Sequence, residues 1–230
     1  MTILSVIQEA CKAVGLDVPD AVASATDRRY VEMLSVANEM AERIAGGADW
    51  QALSTIGTFT GDGSATEFDL PSNYDRMPAK AQMWSSSLSA PLSHIEGLDR
   101  WLGLDVQSFD FVVHAWTIYG GKVHIKPALA TGVTAKFFYI SNGFVVPASG
   151  ANKSAFTADE DTFILDERLL KLGIIWRWKE RKGLDYAESM ADYEEALQRR
   201  VAKDKGSSVL RLGRVRLPSD VRIAYPVPIE

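Results

Sequence analysis

Residues 166–182 read DERLLKLGIIWRWKERK, and their apolar side chains recur at the spacing of an α-helix. A helix that is apolar on two sides packs between neighbouring elements. We therefore predict that 166–182 is the centre of a helical core. The two apolar stripes are Leu165, Leu169, Leu172 and Trp176 on one side, and Leu170, Ile174 and Trp178 on the other.

Three more segments with helical spacing are predicted to pack around this centre. The first is 2–15, with Thr2 as its N-cap and a glycine as its stop. The second is 24–45, which ends before two glycines, and the third is 185–203, which has one narrow apolar stripe. The single cysteine, Cys11, lies on the apolar stripe of the first helix, so we predict a buried structural thiol.

From residue 51 to 157 the spacing changes to alternation and turn residues become frequent, which is typical of β-strands. Asp62-Gly63 is a turn signal that predicts a first hairpin. This hairpin would pair Thr60 with Ala65.

A second hairpin is predicted at Gly120-Gly121, because two glycines supply the positive φ angles that a tight turn needs. The turn places Ile118 opposite Val123 on a core-facing side. Trp116 and Ile125 are expected to pair on that side too. The other side is expected to face solvent, with Thr117, Tyr119, Lys122, His124 and Lys126.

The predicted fold class is α+β. A strand at 134–140 and a short helix at 96–104 complete the β-rich region. We predict three parts: a discontinuous helical bundle of 1–50 and 158–205, an inserted antiparallel β-rich domain of 51–157, and an extended basic arm of 206–230.

The C-terminal arm differs in charge from the rest of the chain. From residue 205 onward there are five basic and two acidic side chains, a net charge of +3, which leaves −8 on the remainder of a chain whose total is −5. Prolines exclude a helix there, and the alternation around Arg214 and Arg216 predicts a strand that suits the sheet edge or groove of a partner. We expect the arm to become ordered only on that partner. The residues predicted to bind are Val209, Leu210, Arg211, Leu212, Arg214, Val215, Arg216 and Leu217.

The sequence contains no motif for catalysis, for a cofactor or for a metal. The histidines, His94, His114 and His124, lack the spacing of metal ligands, and the glycine-rich turns lack a phosphate-binding motif. We therefore predict a protein that is not an enzyme and binds no cofactor. The N-terminus has no secretion-signal pattern and no run of about 18 apolar residues occurs, so we expect no membrane contact and synthesis in a cytoplasm.

Acidic residues and tryptophans leave a different class of function open. Paired carboxylates hydrolyse glycosides, and aromatic rings stack on sugars. A simpler role is that the carboxylates cap amides at the start of the central helix. Trp116, Trp176 and Trp178 lie on apolar faces and are predicted to be core residues. The acidic residues are Asp159, Glu160, Asp161, Asp166 and Glu167.

Three short motifs follow one another through the first part of the β-rich region. They read WQAL at 50–53, GDG at 61–63 and FDLPSNYDRM at 68–77, with Trp84 after them. Two helices precede this region, and two helices and an extended segment follow it. These motifs and this order of parts resemble the head-to-tail adaptor proteins, also called connector or neck proteins, of tailed bacteriophages.

The resemblance implies a structural adaptor that forms a homo-oligomeric ring of about twelve copies under the portal protein. It implies a tail or nozzle protein as the partner on the other side, and a channel that genomic DNA passes without sequence-specific binding. The implied location is the neck of the virion, after assembly in the host cytoplasm. In such adaptors the C-terminal segment reaches the portal, which in this chain corresponds to the arm from residue 206.

Two alternatives stay open. One is another virion part, such as a tail-completion or tail-tube protein, which a mass measurement would separate in part because adaptors are often monomeric until the portal templates the ring. The other, from a different class, is a carbohydrate-active enzyme or a glycan-binding module that uses Asp159, Asp161 and the tryptophans.

Overall fold

A computed structural model describes residues 1–79, 81–88, 90–106 and 114–204. The fold class is α+β, as predicted, and the predicted arm at 206–230 lies outside the described residues. The helices are α1 (Ile3–Val14), α2 (Arg28–Gly46), α3 (Leu98–Val106), α4 (Glu167–Arg181) and α5 (Ala187–Asp204).

The strands are short, and most pairs are antiparallel. One sheet has the order β2-β7-β6-β5, in which β5 and β6 are parallel; in another, β1, β8 and β3 are neighbours and β4 also pairs with β8. A third sheet pairs β9 with β10. The strands are β1 (Ser54–Thr60), β2 (Glu67–Asp69), β3 (Tyr74–Arg76), β4 (Met83–Ser85), β5 (Ser93–His94), β6 (Ala115–Tyr119), β7 (Lys122–Lys126), β8 (Thr134–Ser141), β9 (Val145–Val146) and β10 (Thr162–Phe163).

Helix boundaries follow the capping residues. Thr2 and Gly15 cap α1 as predicted, with Gly15 at a φ of 76°. The prediction for α2 began too early, because Asp27 is the N-cap and its carboxylate accepts a hydrogen bond from the amide of Arg29 at 2.8 Å. Both α3 and α5 begin two residues later than predicted.

The first of two compact units comprises the described residues within 1–57, 70–81 and 138–204. Helix α4 lies at its centre and contacts α1, α2 and α5, which confirms the prediction for 166–182. Leu170 and Ile174 are fully buried there, and so is Cys11 on α1. Burial raises the pKa of the Cys11 thiol, in keeping with an inert core residue.

Ion pairs join the exposed edge of α4 to the two N-terminal helices. The Lys171 ammonium lies 2.7 Å from Glu9 on α1, and it lowers the pKa of that carboxyl. Lys182, just beyond α4, lies 2.5 Å from Glu32 on α2. Because both pairs are partly exposed, they add little stability beyond the apolar contacts beneath them.

The second unit comprises the described residues within 58–69 and 82–137. The predicted hairpin at Gly120-Gly121 is confirmed, with φ angles of 60° and 76°, and it joins β6 to β7. Ile118 lies opposite Val123, and Trp116 lies opposite Ile125, as predicted.

One face of this hairpin is more buried than predicted. Thr117 and His124 were expected to face solvent, but only 2% and 7% of their surfaces are exposed. Helix α3 explains part of this burial, because its buried Trp101 packs edge-on against the His124 ring, with ring centroids 6.5 Å apart. His124 also stacks on Tyr119, with ring centroids 3.6 Å apart.

The predicted hairpin at Asp62-Gly63 is wrong, although the turn itself forms. Gly63 has a φ of 91°, and the Asp62 carboxylate accepts hydrogen bonds from the amides of Ser64 at 2.8 Å and Ala65 at 2.6 Å. Strands β1 and β2 do not pair across this turn, because β1 lies beside β8 and β2 pairs with β7.

The predicted division into a bundle, an inserted domain at 51–157 and an arm stays a proposal about independently folding parts. Strands β1 and β8 each continue from one compact unit into the other, at residues 57–58 and 137–138.

Candidate interaction surfaces

The GDG motif at 61–63 holds two loops of the second unit together. The Gly61 amide donates to the carbonyl of Val133 at 2.8 Å, and the Gly63 amide donates to the carbonyl of Leu129 at 3.0 Å. The Thr131 hydroxyl donates to the Asp62 carbonyl at 2.9 Å. A Cβ atom at Gly61 would lie 2.5 Å from the carbonyl oxygen of Leu129, so only glycine permits this approach.

The other two motifs support the end of α2 in the first unit. The Trp50 indole donates to the carbonyl of Ile44 at 2.7 Å. The Arg76 guanidinium donates to the carbonyl of Ala48 at 2.8 Å and to the carboxylate of Asp49 at 3.2 Å. The guanidinium also lies 3.5 Å from the carbonyl of Ala45 in the last turn of α2, where the helix dipole favours a cation. The motifs that support the resemblance therefore have structural roles.

The acidic run stabilises loops. Asp161 is 1% exposed, and one of its carboxylate oxygens accepts hydrogen bonds from the amides of Thr157 at 2.7 Å and Ala158 at 2.9 Å. Lys153 lies 2.7 Å from the same oxygen. Burial alone would raise the pKa of Asp161, but the hydrogen bonds from Lys153 and from the two amides lower it below its usual value.

The neighbouring carboxylates are used in the same way. Asp159 accepts hydrogen bonds from the amides of Val22 at 2.8 Å and Ala23 at 2.9 Å. Asp166 caps α4 by accepting from the amide of Leu169 at 3.1 Å. One oxygen of each of Asp159, Asp161 and Asp166 thus accepts from backbone amides, which gives these three carboxylates a structural role.

Aromatic rings and histidines pack against one another in the folded units. His94 stacks on Trp116, with ring centroids 4.1 Å apart. Trp116, Trp176 and Trp178 are buried, as predicted, whereas Trp84 is 39% exposed. Among the described residues, no group of histidine, cysteine and carboxylate side chains has the geometry of a metal site.

A groove between the start of α4 and the end of α5 carries an excess of positive charge. Its volume is about 210 Å³. Four basic side chains and one carboxylate contribute to its lining. We call it the basic groove, and its lining residues are Asp166, Arg168, Leu169, Ala196, Arg199, Arg200 and Lys203.

An exposed apolar stripe runs along α3 in the second unit. Leu98, Leu102 and Val106 are spaced four residues apart, which places them on one face of the helix, and they are 55%, 58% and 77% exposed. Trp101, which lies beside this stripe on the helix, is buried. Large aliphatic side chains clustered on a surface are typical of protein contact sites.

Sequence reasoning overlooked both surfaces. The sequence does contain a signal for the stripe, since Leu98, Leu102 and Val106 recur at helical spacing and add a second apolar face to a short helix. The groove had no such signal, because its cations come from two segments about thirty residues apart. The predicted binding residues at 209–217 lie outside the described residues, so that prediction is untested.

These features define a structural α+β protein whose carboxylates maintain the fold and whose exposed surfaces suit protein contacts. The family model described as SU10 adaptor protein matches residues 1–217. The chain therefore belongs to this family of phage adaptors, which confirms the resemblance and implies a virion component associated with portal and tail parts. No curated protein matches the chain. None of the helices among the described residues is both long enough and apolar enough to cross a membrane.

Proposed function

We propose that the chain forms a ring beneath the phage portal, anchors to it through the C-terminal arm, and leaves a channel for DNA between head and tail. The observation that carries this proposal is the family match, which spans both compact units and extends to residue 217. It thus includes the arm residues 209–217. An adaptor in this position acts as a structural part and needs no catalytic group.

The distribution of charge supports separate roles for the body and the arm. The chain before residue 205 has a net charge of −8, whereas the remainder has +3. An acidic wall repels the phosphate backbone, so DNA slides past without binding. A basic arm is attracted to an acidic surface on a protein partner.

The arm starts from a fixed point on the first unit. Helix α5 ends at Asp204, whose carboxylate accepts a hydrogen bond from the Gln51 amide at 2.9 Å. Twenty-six residues follow that point. Fully extended, they span up to about 85 Å, which is enough to reach across a neighbouring subunit.

Removal of the arm tests the proposal. We expect a chain truncated after Lys205 to keep its thermal unfolding midpoint within about 2 °C, because the helical core ends before that residue. We expect it to lose binding to the purified portal ring of the same phage, measured by co-sedimentation. The matched control is the full chain with Lys12→Glu and Lys136→Glu, two exposed cations outside the arm. Undiminished binding by the truncated chain would contradict anchoring by the arm.

A further inference from the structure

The basic groove has a charge that helix stability does not explain. The last two turns of α5 contain Arg199, Arg200 and Lys203. Positive charge stabilises a helix at this end, because it interacts favourably with the helix dipole. The positive charge of Arg168 cannot be explained in this way, because Arg168 lies in the first turn of α4, where the helix dipole disfavours a cation. It also lines the same groove as three like charges. Helix stability therefore does not account for a cation at this position.

The groove contains more positive charge than its own carboxylates neutralise. The side chains of Arg168 and Lys203 have no hydrogen-bond or ion-pair partner among the described residues. The Nε atom of Arg200 is buried without a hydrogen-bond partner among the described residues, 3.5 Å from an Asp166 oxygen. The other oxygen of Asp166 caps α4. Among the described residues, Arg199 pairs with Glu195, and Arg200 has the longer ion pair with Asp166.

We propose that the basic groove binds an acidic peptide segment of the protein on which the arm docks. This inference rests on the proposed function, since it places a second contact for the same partner on the folded part of the chain. Carboxylates on such a segment would accept charge-assisted hydrogen bonds from Arg168 and Lys203. They would also satisfy the buried Nε of Arg200.

The size of the groove favours a peptide over nucleic acid. Phosphate backbones are bound by basic residues that extend along a surface, whereas this groove of about 210 Å³ admits only a few side chains. In the adjacent groove, which shares Asp166, Arg168 and Arg200, the cations of Lys171 and the N-terminus are already paired with Glu9 and Glu167. The unpaired positive charge therefore does not continue along the surface as a nucleic-acid backbone would require.

The position of the groove agrees with a shared partner. Lys203 lies one residue before the end of α5, and the basic arm begins directly after that end. The groove and the arm have the same sign of charge, so one acidic surface would attract both. Two linked contacts bind more tightly than either alone, because the second forms at high effective concentration.

A direct binding measurement tests the groove in the full chain. The probes are fluorescein-labelled hexaglutamate and hexathymidylate, followed by fluorescence anisotropy at low salt, with Arg211, Arg214 and Arg216 changed to Gln so that the arm contributes little. We expect Arg168→Glu with Lys203→Glu to weaken hexaglutamate binding by about fivefold or more. Lys12→Glu with Lys136→Glu makes the same change in net charge elsewhere and should alter binding less than about twofold. Equal losses for the two pairs, or tighter binding of the oligonucleotide at the groove, would overturn the proposal.

A stability measurement separates binding from folding. Because Arg168 opposes the helix dipole and its basic neighbours, Arg168→Gln should raise the thermal unfolding midpoint by about 1 to 3 °C while weakening hexaglutamate binding. A lower midpoint would show that Arg168 supports the fold, and would overturn the argument for a binding role.

Binding to the purified portal ring distinguishes failure of this inference from failure of the proposed function. If Arg168→Glu with Lys203→Glu binds the portal like wild type while the arm-truncated chain does not, the groove proposal fails and the anchoring arm stands. If both chains bind like wild type, both proposals fail. Loss of portal binding in both chains supports the two contacts together.

Discussion

Replacement of Asp161 by alanine is expected to lower the free energy of unfolding by about 2 to 5 kcal/mol, since two amides lose a charged acceptor at a cost of about 1 to 3 kcal/mol each. The substitution leaves the amides of Thr157 and Ala158 without their acceptor and Lys153 without its buried partner. The carbonyl of Asp161 also accepts from the amide of Ile3 at 2.7 Å, so the loss would loosen the start of α1. Urea denaturation followed by tryptophan fluorescence measures the change.

Glu160→Ala is the matched control, because the neighbouring Glu160 is exposed and its loss should change stability by less than about 0.5 kcal/mol. The difference in the free energy of unfolding between wild type and Asp161→Ala should also depend on pH. The folded-state pKa of Asp161 is lowered, so its contribution is present above the unfolded value of about 3.9 and is lost as the pH falls through the folded value. A difference that stayed constant from pH 7 to pH 3 would show that the carboxylate charge is not responsible.

Replacement of Gly61 by alanine is expected to destabilise the second unit by about 3 kcal/mol or more, at the upper end of the cost of overpacking. The new Cβ would lie 2.5 Å from the Leu129 carbonyl oxygen and 2.6 Å from that of Ala130, and backbone atoms cannot move aside as a flexible side chain can. Hydrogen exchange should show faster exchange of the Gly61, Gly63 and Gly132 amides, which bond the two loops.

Gly97→Ala is the control within the same unit, since its Cβ would meet nothing nearer than 3.8 Å. The amide hydrogen-exchange rates of residues 61–63 in Gly97→Ala should match those of wild type. Unchanged protection in Gly61→Ala would show that the close approach of the two loops is not required for the fold.

Local patterns predicted the helices well and the sheets only in part. The two apolar stripes of 166–182 identified the central helix, and two consecutive glycines identified the hairpin at 120–121. Both signals lie within one element or one turn. The partner of β1 is β8, roughly eighty residues later, and no short pattern specifies so distant a pairing. The burial of His124 likewise depends on α3, a separate segment that contributes Trp101.

Charge and exposure explain why the surfaces were harder to predict. The arm could be predicted because its basic residues lie in one short segment that follows an acidic body. Arg168 and Lys203 each resemble ordinary exposed charges on a helix, and only the packing of α4 against α5 brings them to one groove. The acidic run resembles a catalytic pair in sequence, whereas in the structure Asp159 and Asp161 each accept hydrogen bonds from backbone amides.

Electron microscopy of the full chain mixed with its purified portal ring tests the adaptor function most directly. We expect a ring of copies on one face of the portal, with an open central channel and with density for residues 209–217 against the portal surface. A mixture in which the portal rings stay bare, while the free chain is folded, would contradict the proposed function.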